Sequence, residues 1–222
     1  KPNPLYEDAD LALLKTHYYG GIRKYQWGVT PLALHGVVAK KDGEIVELHV
    51  GEEAGDPVFC VTDLLPHLGT EQMKRPATEV IKGEDLNILV GSRPFKDDKG
   101  SELVKLNILK LPHEKYGMVE ADFLSAELEA VPAFKARDLG FDRSMIGGYG
   151  HDDRVCAYPA LTAILEADRP AYTAVTILAD KEEIGSEGNT GMQSAFLKYF
   201  IADIAAAFGE EGRHVLQQSV CL

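Results

Sequence analysis

The stretch Thr173-Ala-Val-Thr-Ile-Leu-Ala-Asp-Lys-Glu-Glu-Ile-Gly-Ser-Glu-Gly188 decides how the rest of this chain is read. From Ala174 to Ala179 it is apolar except for Thr176, the pattern of a strand buried on both faces of a mostly parallel sheet. With no turn residue between, it then delivers Asp180, Lys181, Glu182 and Glu183. Such an ending predicts negative charge at the carboxyl end of a sheet, where open α/β sheets hold their ligands. Two adjacent carboxylates there can divide the labour, one holding a metal and the other moving a proton. A Glu-Glu pair taken alone is more often a solvated loop, so the reading needs a second stretch.

That stretch is Gly147-Gly-Tyr-Gly-His-Asp-Asp-Arg-Val-Cys-Ala-Tyr158. Glycines allow a sharply turned chain, and Val155, Tyr158, Leu161, Thr162 and Leu165 then recur at helical spacing. Asp152 or Asp153 therefore opens a helix, where one aspartate suffices as a cap. This chain places two there, after a histidine.

Together these stretches resemble the aspartyl aminopeptidase and vacuolar aminopeptidase I family, the zinc exopeptidases of peptidase family M-eighteen. The resemblance rests on Gly148-Tyr-Gly-His-Asp-Asp-Arg-Val-Cys-Ala-Tyr158 and on Asp180-Lys-Glu-Glu-Ile-Gly-Ser-Glu-Gly-Asn-Thr-Gly-Met-Gln-Ser194. Lys1-Pro-Asn-Pro-Leu-Tyr-Glu-Asp8, Tyr19-Gly-Gly-Ile22 and Trp27 are also similar to family signatures. It implies a metallo-aminopeptidase that releases N-terminal amino acids from peptides with water activated by two zinc ions, cobalt or manganese being possible replacements. By position in the motif, Asp152 bridges the metals, Glu183 is a terminal ligand and Glu182 is the general base. Residue chemistry alone leaves Glu182 and Glu183 exchangeable. Asp153 and Asp180 are expected to cap or to orient ligands from outside the coordination shell, and Arg154 to pair with a nearby carboxylate. His151 reads as a loop residue. His67 lies in a segment similar to one from which the family donates a histidine to a neighbouring subunit's site. Further metal ligands are implied before Lys1 and after Leu222, which makes the chain an internal segment, inactive by itself.

The fold implied is α/β: a three-layer α/β/α zinc-exopeptidase-like domain, residues 1–18 and 116–222, split by a β-rich dimerisation domain at 19–115. Dimers of that kind are expected to build a homo-oligomer, a dodecamer. From the residues themselves, the Lys40-Lys-Asp-Gly43 turn between two β runs, 29–38 and 44–50, is a hairpin signal. Pro57–Val61 and Ile88–Gly91 read as strands, Ser101–Leu111 as a helix, and Asp122–Ala133 as an alternating strand. Residues 1–18 read as a connection. A long helix opens at Gly188-Asn-Thr-Gly191, with Met192, Phe196, Tyr199, Phe200 and Ile204 as its core stripe.

A chain of 222 residues with 45% apolar and 26% charged residues fits a globular protein. Its net charge of −12 speaks against nucleic-acid partners, which need a basic stripe to meet phosphate. No run approaches the roughly 20 apolar residues of a membrane span, and Lys1-Pro-Asn-Pro4 does not read as a signal peptide. Three widely spaced cysteines, Cys60, Cys156 and Cys221, suggest a reducing, cytoplasmic setting, with Cys156 a small buried hydrophobe. The alternative function is a non-catalytic assembly subunit of the same fold.

Overall fold

The computed structural model describes residues 4–96, 99–182, 188 and 191–221. The chain is mixed α/β and divides into two compact units, one of residues 1–18 and 22–149, the other of residues 19–21 and 150–222.

In the first unit the opening residues fold as a hairpin, which overturns their reading as a connection. Strand β1 (Leu5–Asp8) pairs antiparallel with β2 (Leu11–Leu14). Ala9 and Asp10 turn the chain at φ 47° and 62°, the signs a two-residue type I′ turn requires. The hairpin stays folded because its apolar side is covered: Leu5 and Ala12 pack on Val104 of the helix described below. Strand β2 also pairs with β6 (Ile88–Gly91), and β6 with β5, giving the order β1-β2-β6-β5. The expected strand 57–61 contracts to β5 (Cys60–Val61), with Phe59 bridging Leu32.

The second sheet has the order β4-β3-β7. The Asp42-Gly43 turn, with Gly43 at φ 90°, joins β3 (Leu32–Ala39) to β4 (Ile45–Val50) in register from Ala39↔Ile45 to Leu34↔Val50. Strand β7 (Ala126–Pro132) adds to the other side of β3, Leu32 opposite Pro132 and Val38 opposite Ala126. Gly36 at its centre has φ 144° and lies so close to β7 that a Cβ would overlap the Glu127 carbonyl oxygen. The expected strand 122–133 starts late because residues 120–124 form a 3₁₀ turn. Buried Asp122 locks it, accepting the backbone N–H groups of Lys41 (3.1 Å) and Val119 (2.8 Å).

Two short helices follow β5, α1 (Thr70–Met73) and α2 (Ala77–Val80). Helix α3 (Leu103–Tyr116) covers the first sheet. The Glu7 carboxylate accepts the Lys105 N–H at 2.9 Å near its start, and Gly117 at φ 67° ends it. The larger core joins Leu32, Leu34, Val61, Ile81, Leu86 and Ile88, while Val38, Val46 and Met118 make another. A small ribbon, β8 (Arg137–Leu139) with β9 (Met145–Gly147), leads to the glycine turn. There Tyr149 meets Trp27 edge to face, centroids 6.2 Å apart.

The second unit contains α4 (His151–Glu166), α5 (Phe196–Ala207) and α6 (Gly212–Gln218). Helices α5 and α6 approach closely: a Cβ on Gly212 would come within 2.7 Å of Ala202 Cα. Two expectations fail here. Residues 174–179 form no strand and are mostly exposed, Val175 at 40%, Ile177 at 44% and Leu178 at 55%. An extended run becomes a strand only when neighbouring strands take its hydrogen bonds, and no described strand lies beside it. The stripe of α5 is likewise not core: Phe196 is 71% exposed and Tyr199 68%, and the regular helix begins at Phe196 rather than at Gly188. Cys156 is exposed, not buried. No described helix is long and apolar enough to cross a membrane.

Candidate metal site

Helix α4 starts at His151 but is not helical throughout its first turn. Asp152 has φ −89° and ψ 119°, extended backbone, and the Asp152–Asp153 peptide is cis. Gly150, at φ 80°, supplies the sharp entry, and Arg154 donates to its carbonyl at 3.0 Å rather than to a carboxylate. An extended residue between the turn and the helix gives Asp152 the backbone of a capping position.

The second stretch comes back to this point from residues 174–182. Thr176 donates its hydroxyl to the Ala160 carbonyl of α4 at 3.3 Å, tying the segment to the helix. Lys181 turns at φ 52° and pairs with Asp180 at 3.2 Å. The result is a group of three exposed carboxylates, Asp152, Asp153 and Glu182, whose ligand oxygens all lie within 4.8 Å of one another. Among the described residues it is the one group in which three or more metal-ligating side chains come so close.

Like charges so close repel by about 1 kcal/mol per pair in water, and a divalent cation between them reverses the sign. Oxygens that share one zinc at about 2.0–2.2 Å stand no more than about 4.4 Å apart, close to the 4.8 Å span of this group. The donor chemistry therefore fits zinc.

Of the residues singled out from sequence, Asp152 and Glu182 are brought together and Glu183 lies outside the described residues. Asp153, expected to cap or to orient ligands from outside the coordination shell, joins the group. The signal was already there, since a cap uses one aspartate and the chain places two in succession. Asp180 sits beside Lys181. His67 lies in the other unit, exposed in a loop with Leu64, Leu65 and Leu68, which are 58–64% exposed.

A family model for aminopeptidase I zinc metalloproteases (M18) matches residues 1–222. The probable M18 family aminopeptidase 1 of Clostridium acetobutylicum is 60% identical over 210 residues, 95% of this chain and 45% of its own length. The crystal structure of an M18-family aminopeptidase from Thermotoga maritima superposes with a TM-score of 0.89 at 49% identity, covering 97% of this chain and 47% of that one. A Saccharomyces cerevisiae mApe1 dodecamer shares the fold at a TM-score of 0.60 and 23% identity, over 93% of this chain and 46% of that chain. The chain thus spans less than half the length of these relatives.

Proposed function

The chain belongs to the aminopeptidase I zinc metalloprotease family, and from that premise we propose that it supplies part of the active site of a metallo-aminopeptidase releasing N-terminal amino acids from peptides. The observation that carries the proposal is the meeting of Asp152, Asp153 and Glu182 within 4.8 Å, from two stretches of sequence nearly thirty residues apart. Zinc held by Asp152, with Glu182 beside it, would lower the pKa of water toward about 7 and steady the oxyanion of an attacked carbonyl.

The residues then take distinct tasks. Asp152 would hold zinc as the carboxylate shared between two ions, and Glu183 would be a terminal ligand. Glu182 accepts the proton of the attacking water and passes it to the leaving amine. Asp153 and Asp180 hold ligand orientation. Cobalt or manganese can substitute, since oxygen and nitrogen donors do not select among these metals by type alone.

In the full-length protein, the proposed architecture is a three-layer α/β/α domain from residues 1–18 and 116–222, split by an assembly module at 19–115. A homo-oligomer, a dodecamer built from dimers, goes with this reading. The exposed apolar loop of Leu64, Leu65 and Leu68 supports His67 reaching a neighbouring subunit's site. A cytoplasmic location goes with this reading.

The test measures bound zinc and peptide hydrolysis together in a full-length protein carrying this sequence. Glu182→Gln is expected to keep zinc and to lower kcat by about 10²–10⁴-fold, whereas Glu183→Ala loses metal. Near-normal turnover by Glu182→Gln removes the base assignment. Failure of the unaltered protein to take up zinc replaces the enzyme reading with a non-catalytic assembly subunit.

A further inference from the structure

A second group of metal-ligating side chains lies in the other unit, on the outer face of the sheet β4-β3-β7. His35 of β3 and His49 of β4 are direct cross-strand partners, and their Nδ1 atoms face each other at 3.0 Å. The rings meet edge on, centroids 5.1 Å apart at 68°. His35 Nε2 is buried and makes no hydrogen bond; the nearest carboxylate oxygen, Glu52 Oε1, stands 3.4 Å away.

Alternation along the strands puts Leu34, Val38 and Val46 into the core and His35 and His49 on the opposite face. Register and alternation place three further carboxylates there: Glu129 opposite His35, Glu127 opposite Val37 on β7, and Glu47 opposite Val37 on β4. All three are exposed. The face is thus a histidine pair in an acidic field, which concentrates cations.

We propose that His35 and His49 form a two-nitrogen chelate for a divalent transition cation, copper(II) or nickel(II) ahead of zinc. Without metal, the two Nδ1 atoms share one proton, one ring donating and the other accepting. A cation replacing that proton at about 2.0–2.1 Å from each nitrogen subtends an angle near about 90° at their present spacing. That is the cis angle of tetragonal or octahedral ligation, which copper(II) and nickel(II) favour and tetrahedral zinc does not. With its Nδ1 given to metal, His35 carries its proton on Nε2, beside Glu52, the carboxylate–histidine–metal arrangement that fixes ring orientation and strengthens the ligand. The ladder from Ala39↔Ile45 to Leu34↔Val50 holds both backbones in place, so little ordering is left for the metal to impose.

Copper(II) is titrated into the protein and followed by electron paramagnetic resonance, in which imidazole nitrogen splits the copper signal and carboxylate oxygen does not. The expected result is one tightly held copper with two equatorial nitrogens. His49→Gln should abolish the two-nitrogen pattern, and Glu52→Gln should weaken binding by about tenfold or more. Asp152→Asn, in the other unit, leaves the pattern in place, which separates failure here from failure of the proposed function. A pattern unchanged in folded His49→Gln, or no two-nitrogen signal in the unaltered protein, overturns the inference. Should His49→Gln fail to fold by circular dichroism, Glu52→Gln decides: unchanged affinity overturns it.

Discussion

The two units carry similar apolar periodicity and put it to different use. Residues 22–149, with the opening hairpin, bury Leu5, Leu32, Val38, Val104 and Met118 to 2% exposure or less. In the second unit, Ala205 is the one buried apolar side chain among the described residues apart from glycine. Helix α4 leaves Val155 66%, Tyr158 70% and Leu165 75% exposed. Periodicity therefore specifies which face of an element is apolar and says nothing of what covers it. The first unit is where stability resides; the second displays the acidic group.

The sharpest test of that division is chemical. Glu182→Gln should remove most turnover, about 10²–10⁴-fold in kcat, and leave the urea unfolding midpoint of the protein unchanged. A large loss of stability would mean that Glu182 is structural. Next come core truncations. Leu32→Ala should cost about 2–5 kcal/mol, whereas Leu165→Ala should stay within about 0.5 kcal/mol. Equal costs in denaturant titrations would erase the contrast. Gly36→Ala should cost about 1–3 kcal/mol, because the new Cβ meets the Glu127 carbonyl and β3 must separate from β7.

The smallest effect is electrostatic. Asp56 accepts the Gly51 N–H first and the Glu53 N–H second, at 2.9 and 3.3 Å, and these hold its carboxyl below the usual aspartate range. A folded-state value below the unfolded one, about 3.9, stabilises above that pH and fades as pH falls through the folded value. Asp56→Asn should accordingly flatten the acid limb of the unfolding midpoint below about pH 4, without altering it near neutrality beyond a constant offset. An acid limb unchanged by the substitution would remove Asp56 from the account.

Where sequence reading succeeded, the signal was local. Asp42-Gly43 between two β runs gave β3 and β4, and the spacing of Leu103, Leu106, Ile108 and Leu109 gave α3. Where it failed, the outcome depended on distant residues. Leu11-Ala-Leu-Leu14 has no alternation to mark a strand, and β2 exists because β1 and β6 take its hydrogen bonds. Residues 174–179 have the opposite history, a strand-like run without a partner. In the acidic group, Asp152 and Glu182 were legible because the two stretches that carry them, read together, resemble the family's motifs. The part played by Asp153 was not, since it depends on an extended Asp152.

By itself, the sequence determined the turns, the helical faces, the acidic residues and, through their motifs, the family. Those follow from each residue's own backbone preference and from its neighbours a few positions away. Only the tertiary structure decided which extended runs became strands, which apolar faces were covered, and that His35 meets His49 while Asp152 meets Glu182. Such pairings are set by register and loop closure between segments far apart in the chain, and no local preference encodes them.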